Sequence, residues 1–163
     1  MATVIPGRHS AELDGDFVVF IIGMRINHLR KVSKWLPVLK AMPKMVKELS
    51  EQPAKGLLAV EWALAGRTSV IVQYWRSYDD LEHFSRDPDD LHYPAWRAFN
   101  KAIGSSGDVG VYHETYKVHA GDHEAIYVNM PEFGLAKAGE MVPVGRRGDS
   151  SRERIEAAAA VGS

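Results

Sequence analysis

The sequence has 163 residues, of which 45% are hydrophobic and 25% charged, and these values predict one globular domain with a hydrophobic core. The 20 lysines and arginines nearly cancel the 21 aspartates and glutamates, which argues against nucleic acid as a partner, and the absence of cysteine excludes disulfides and thiolate chemistry. No apolar run reaches the roughly 18 residues that a membrane helix needs, and no hydrophobic stretch follows a basic start. We therefore expect no membrane association and a cytoplasmic location.

The first predicted element is a strand over residues 17–26, because most of these residues are β-branched or aromatic. Residues 1–15 are expected to form a flexible N-terminus. The strand is apolar on both of its alternating rows, and only the odd-numbered row turns polar at its end, at Arg25 and Asn27. A sheet containing such a strand needs cover on both of its faces.

A helix and a hairpin are predicted next. Apolar residues at three-to-four spacing predict the helix over residues 32–52, which Pro37 and Pro43 are expected to kink or split. Residues 57–65 and 68–76 are predicted to form the two strands of the hairpin, because both segments are rich in strand-forming residues and only two residues separate them.

The second half of the domain is predicted to contain two more helices and another strand. Ser77 is the expected N-cap of a helix over residues 78–87, whose first turn carries aspartates. A further helix is predicted over residues 90–103 and a strand over residues 109–119. Residues 124–129 are the candidate for a fifth strand.

The predicted order is strand, helix, strand, strand, helix, strand, which is the ferredoxin-like split βαβ pattern of the α+β class. We assign this domain to residues 16–130, and residues 131–163 to a C-terminal arm that ends in a mobile tail from residue 145 onward. Because several strands are apolar on both rows, a lone chain would expose an apolar sheet face. We therefore expect a homodimer whose two sheets close into a barrel-like sandwich, with residues 124–144 wrapping over their own chain or the partner.

Six sequence blocks resemble one protein family. The blocks are FIIGMRIN, KWLPV, VQYWRS, LHYPAWRAFN, GVYHETY and EAIYVNMP, and the resemblance extends over residues 16–139. They are similar to the bacterial and fungal monooxygenase-like family that is related to the antibiotic-biosynthesis monooxygenases and has members in fungal terpenoid pathways.

The resemblance implies a dimeric α+β barrel and an oxygenation in secondary metabolism. Its expected partners are dioxygen and a small hydrophobic substrate of the phenolic, polyketide or terpenoid kind. Some relatives in this superfamily work without a prosthetic group or metal. Others, including haem-degrading enzymes and aldoxime dehydratases, hold haem in the same cavity. We expect no cofactor here, with haem as the alternative.

A cofactor-free oxygenase needs a base and a group that holds the substrate anion, and four residues are candidates for these catalytic roles. His113 and Glu114 are neighbours on the fourth strand, so only one of them can face the cavity. Arg25 can hold an oxyanion or form a salt bridge across the dimer. His92 can act as a base, as a haem ligand, or simply as a polar residue near a helix end.

Substrate-binding candidates are mostly aromatic. The set comprises Asn27, Trp62, Tyr74, Trp75 and Trp96. The four aromatic residues suit a flat substrate, although the same spacings are also typical of a protein core. His119 and His123 flank Asp122, but we interpret all three as turn residues and expect no metal site.

Three functional hypotheses follow from the sequence. The first is a cofactor-independent monooxygenase or related tailoring enzyme with its cavity between sheet and helices. The second is a haem protein of the aldoxime dehydratase or haem-degrading type. The third is a non-catalytic dimer that binds an apolar ligand. A visible absorption spectrum distinguishes the second hypothesis from the others, and oxygen uptake distinguishes the first from the third.

Overall fold

Two antiparallel sheets and several helices form the part of the chain that this computed structural model describes, which comprises residues 2–87, 97, 104, 106–146 and 148–161. The strands are β1 Ile5–Glu12, β2 Phe17–Ile26, β3 Leu57–Ala65, β4 Thr68–Trp75, β5 Val109–Val118, β6 Tyr127–Met130 and β7 Glu140–Pro143. The helices are α1 Val32–Ser50, α2 Tyr78–Arg86, α3 Leu135–Ala138 and α4 Ser151–Val161, with 3₁₀ turns at Pro53–Lys55 and Val144–Arg146. The predicted helix over residues 90–103 lies outside the described residues except at residue 97.

The larger sheet has four strands in the order β3-β4-β2-β5, and each neighbouring pair is antiparallel. Counted in chain order from β2, this is the 2-3-1-4 arrangement of a ferredoxin-like split βαβ unit, which confirms the predicted α+β class. The predicted hairpin is confirmed as β3 and β4. The strand β2 is an interior strand because it pairs with both β4 and β5. Its two apolar rows therefore lie on opposite faces of the sheet, away from the sheet edges.

Helix α1 is continuous from Val32 to Ser50 although Pro37 and Pro43 both lie inside it. Of the two effects expected of the prolines, a kink or a split, the split is therefore wrong. Each proline removes one backbone N–H donor from the helical ladder, but the remaining hydrogen bonds on both sides maintain the helix. Within the described residues, none of the helices combines the length and apolarity that crossing a bilayer requires.

The start of α2 is fixed by a compact set of polar contacts. The Ser77 hydroxyl accepts a hydrogen bond from the backbone N–H of Asp80 at 3.0 Å, which confirms the predicted N-cap. The Arg76 guanidinium donates to both carboxylate oxygens of Asp80 at 2.8 and 3.0 Å, and this hydrogen bonding lowers the pKa of Asp80. The first turn of α2 is thereby tied directly to the end of β4.

Both sides of the four-stranded sheet carry part of the hydrophobic core. On one side, which we call the helix-facing side, the buried residues Val18 and Trp75 pack with Leu49 of α1 and Leu81 of α2. On the other, which we call the second-sheet side, buried Phe17 packs with residues of the smaller sheet and of α3. The two apolar rows of β2 thus enter two separate clusters, as strand alternation requires.

The smaller sheet has three strands in the order β6-β1-β7 and places β1 in its centre. We expected the first ordered element at residue 17, so that expectation is wrong. The β1 segment contains proline, glycine and several polar residues, which gives it little local strand propensity. Its pairing is long-range, because the Gly7 N–H donates to Asn129 Oδ1 across 122 positions of the chain. Within the predicted fifth strand, residues 127–129 belong to β6, which ends at residue 130.

The C-terminal segment is held in place by a buried arginine, which contradicts the mobile tail expected after residue 145. Arg154 of α4 is only 5% exposed. Its Nε donates to Glu124 Oε1 at 2.6 Å, and a second guanidinium nitrogen contacts the same oxygen. Its remaining terminal nitrogen donates to the carbonyl oxygens of Gly148 and Asp149. This guanidinium therefore joins the first turn of α4 to the chain that precedes β6.

We predict that Arg154→Met lowers the free energy of unfolding by about 2–4 kcal/mol, because the Glu124 carboxylate and two carbonyl groups lose their charged donor. The matched control is Arg152→Met, which changes an exposed arginine on the same helix and should stay within about 0.5 kcal/mol of the wild type. Urea unfolding followed by circular dichroism measures both values. Equal stabilities of the two variants would contradict the anchoring role of Arg154.

Candidate functional site

The helix-facing side of the four-stranded sheet carries the candidate site. Two adjacent rungs of paired residues cross the centre of this side. One rung consists of Trp62, Ile71, Ile22 and His113, and the next consists of Val60, Gln73, Phe20 and Thr115. Polar and aromatic side chains thus flank an apolar strip formed by β4 and β2.

Of the two neighbouring candidates on β5, His113 lies on the helix-facing side and Glu114 does not. The His113 side chain is exposed, and its ring centroid lies 5.7 Å from that of Phe20 at an interplanar angle of 38°. Histidine is the most frequent general base in enzymes. An exposed imidazole beside an aromatic ring can remove a proton from an apolar compound bound on this strip.

Gln73 is a buried polar residue on the same side. It is 6% exposed, and its Oε1 accepts a hydrogen bond from Trp75 Nε1 at 2.9 Å. Gln73 was not among the site residues predicted from the sequence. A signal was present, since this glutamine interrupts an otherwise apolar strand two residues before a tryptophan, which places both side chains on one side of the sheet.

The tryptophans proposed as a ligand wall occupy different environments. Trp62 is 42% exposed on the edge strand β3, so its ring is available to a ligand. Trp75 is completely buried, and its ring centroid lies 5.4 Å from that of Phe84 on α2. The structure therefore places Trp75 in the core, where its indole N–H orients Gln73.

Arg25 and Glu114 lie on the second-sheet side, opposite to His113. Both are exposed, and Arg25 is near the end of β2, paired with Thr68 and Gly110. The Glu114 carboxylate accepts a hydrogen bond from the Tyr116 hydroxyl at 2.6 Å, which raises the pKa of Tyr116. The sheet separates these two residues from His113, so within one chain they cannot act on the same substrate as His113.

Tyr74 also lies on the second-sheet side, away from Trp62 and Gln73. Burial raises the pKa of Tyr74, and the neighbouring Tyr127 and Glu61 add to the effect. Glu61 Oε1 accepts a hydrogen bond from the backbone N–H of Gly134 at 3.1 Å and lies 3.4 Å from Lys137 Nζ. This polar cluster fastens α3 to the four-stranded sheet, which gives Tyr74 a structural environment rather than a place in the candidate site.

Asn27 follows β2 and connects two loops. Its side-chain amide nitrogen donates to the backbone carbonyl oxygen of Gly107 at 2.9 Å. Its backbone carbonyl oxygen accepts a hydrogen bond from the Arg67 guanidinium at 3.4 Å. These contacts stabilise the end of the sheet. The structure thus separates Asn27 from the strip between His113 and Gln73.

Two further candidates, His92 and Trp96, lie outside the described residues. His119 and His123 are described and have different neighbours. His119 Nδ1 lies 3.3 Å from Asp16 Oδ2, whereas the His123 ring packs edge-on against Phe17 at a centroid distance of 5.3 Å. Among the residues that the structure describes, no group of three or more histidine, aspartate or glutamate side chains is arranged to hold a metal ion.

Comparison with known proteins gives one family match. A family model described as Monooxygenase af470-like matches residues 17–135 of the chain. The Monooxygenase af470 of Aspergillus fumigatus is 30% identical over 181 aligned positions, which cover 95% of this chain and 62% of that protein. The chain therefore spans less than two thirds of the length of this relative.

One solved structure supports the fold. An aldoxime dehydratase in complex with butyraldoxime superposes with a TM-score of 0.61 at 20% identity, over 85% of this chain and 42% of that chain. The cofactor-independent oxygenase SnoaB from Streptomyces nogalater gives a TM-score of 0.43 at 12% identity, over 62% of this chain and 91% of that chain. At 20% identity, the first likeness concerns the α+β architecture and not the chemistry.

Proposed function

Since the chain belongs to the Monooxygenase af470-like family, we propose that it is a monooxygenase-like tailoring enzyme acting on a small hydrophobic compound of the phenolic, polyketide or terpenoid kind. The observation that carries this proposal is the position of His113. Its imidazole lies at one end of an apolar strip with Phe20 beside it, and exposed Trp62 lies at the other end of the same rung. A flat apolar compound on this strip meets aromatic surface and one basic side chain.

The proposed reaction needs no tightly bound cofactor. His113 removes a proton from an acidic methylene carbon of the substrate, and the anion passes one electron to dioxygen. The two radicals combine to form a C–O bond, and His113 returns the proton to the outer oxygen, which gives a hydroperoxide. Loss of water then leaves a carbonyl group. A methylene and dioxygen thus become a ketone and water, and the substrate supplies all the electrons.

Haem is the alternative cofactor, and His113 is the residue that favours it. Its imidazole is exposed on the helix-facing side, and a ring nitrogen there would be the protein group that holds the haem iron. Bound haem would supply redox chemistry at iron, and His113 would then hold the group rather than act as a base. The visible spectrum of the purified protein, before and after haem addition, tests this alternative. A Soret band that His113→Gln abolishes would replace the cofactor-independent proposal.

We also propose that the protein is a homodimer formed through the second-sheet side. The cluster that Phe17 forms with the smaller sheet and α3 covers only part of this side, where Val19, Tyr74 and Val118 pack against it. Further along the strands, Ile21 and Val72 are paired neighbours and remain partly exposed in a single chain. A second copy of the same face would remove this apolar surface from water.

Activity tests the role of His113. We expect His113→Gln to lower oxygen uptake with a productive phenol, quinol or terpenoid by roughly 10²- to 10⁴-fold, because the general base is lost. The control is His119→Gln, which changes an exposed histidine beside Asp16 at a distance from the site. Full activity of His113→Gln would refute the base assignment. Binding of these compounds by the wild type without oxygen uptake would instead favour the non-catalytic ligand-binding dimer.

Sedimentation velocity tests the dimer. The wild type should sediment as a dimer, and Val72→Glu should raise the dissociation constant by about two orders of magnitude or more, because a charge without a partner enters the apolar face. The control Val128→Glu changes a residue of β6 that is 54% exposed, and it should leave the dimer intact. A monomeric, well-folded wild type would overturn this part of the proposal.

A further inference from the structure

Gln73 places the two N–H donors of its amide on the helix-facing side, and among the described residues its one side-chain hydrogen bond is made by the amide oxygen. The residue lies in an apolar row, with Ile71 and Trp75 before and after it on that side of β4 and Phe20 opposite on β2. It is 6% exposed. A buried amide in such surroundings is unfavourable unless its polar atoms have partners, so an apolar side chain would suit this position better for packing alone.

The orientation of the amide follows from its one hydrogen bond. An indole N–H can only donate, so the atom that Trp75 Nε1 contacts at 2.9 Å must be the amide oxygen. The amide nitrogen therefore points away from Trp75. Within the part of the chain that the structure describes, no hydrogen-bond partner is assigned to this nitrogen. Because Trp75 is completely buried, its N–H holds the amide in this orientation.

We propose that Gln73 Nε2 donates a hydrogen bond to an oxygen of the substrate. This inference rests on the proposed function and narrows it to flat apolar compounds that carry a carbonyl or phenolic oxygen. When His113 removes a proton from such a compound, negative charge moves onto that oxygen. An amide donor that is already oriented stabilises this charge without having to reorganise.

The spacing of the strands fits a ligand between the two side chains. Gln73 is on β4 and His113 is on β5, with β2 between them. Two inter-strand spacings of about 4.8 Å and an offset of two residues along the strands separate their backbones by about 12 Å. A ring system lying across β2, over Phe20 and Ile22, can therefore be approached by the amide from one side and by the imidazole from the other.

A pair of three-ring compounds tests the donor. Anthrone and 9,10-dihydroanthracene are similar in shape, and the carbonyl oxygen of anthrone is their main difference. Their dissociation constants are measured by quenching of intrinsic tryptophan fluorescence, under nitrogen so that no turnover occurs. The wild type should bind anthrone about tenfold more tightly, as one hydrogen bond can provide. In Gln73→Met this preference should fall below about twofold, because the donor to the carbonyl oxygen is lost, whereas the accompanying loss of the acceptor for Trp75 affects both compounds alike.

Two further variants complete the test. Tyr116→Phe removes a hydroxyl from β5 on the opposite side of the sheet and should keep the preference for anthrone. If Gln73→Met does not fold, Gln73→Glu at pH 8.5 is the second variant. Its carboxylate retains an oxygen that accepts from Trp75, but it presents an acceptor to the ligand in place of the N–H donor. It should therefore also lose the preference for anthrone. A preference that survives in the folded Gln73 variants overturns the role of Gln73. Equal binding of both compounds by the wild type also overturns it while leaving the proposed function intact, whereas no binding of either compound overturns the proposed apolar site itself.

Discussion

The alternation of side chains along β2 is the constraint on which the rest of the structure depends. Successive residues of a strand point to opposite sides of the sheet, and β2 is apolar in both directions. Val18 therefore enters the cluster under α1 and α2, while its neighbour Phe17 enters the cluster under the smaller sheet. A central strand of this kind cannot leave either side in water, so the chain supplies helices for one side and β1, β6, β7 and α3 for part of the other.

The same alternation determines which polar groups can work together. His113 and Gln73 share the helix-facing side, whereas Arg25 and Glu114 lie on the second-sheet side. The backbone and side chains of the sheet lie between the two pairs, so each pair can contact molecules on its own side only. We propose that the chemistry of a bound compound belongs to the first pair. The second pair lies on the side where we place the partner subunit.

Local patterns in the sequence were sufficient for much of the fold. The hairpin β3–β4 and the Ser77 cap depend on neighbours within a few residues, and both were predicted. The strand β1 was missed because its stability comes from partners far along the chain rather than from its own composition. For the site, alternation shows that His113 and Glu114 face opposite sides, but it cannot show which side the helices cover. The burial of Trp75 beneath α2 likewise depends on tertiary packing that no spacing reveals.

The position of β1 has a consequence for biosynthesis. This strand is synthesised before β2 to β5, yet its hydrogen-bonding partners β6 and β7 are synthesised after them, as the contact between Gly7 and Asn129 across 122 positions illustrates. The four strands β2 to β5 can associate before the smaller sheet has both of its outer members. During translation β1 therefore remains without its strand partners until β6 and β7 are made, and its proline, glycine and polar residues are of the kind that lowers the tendency of an unpaired strand to aggregate.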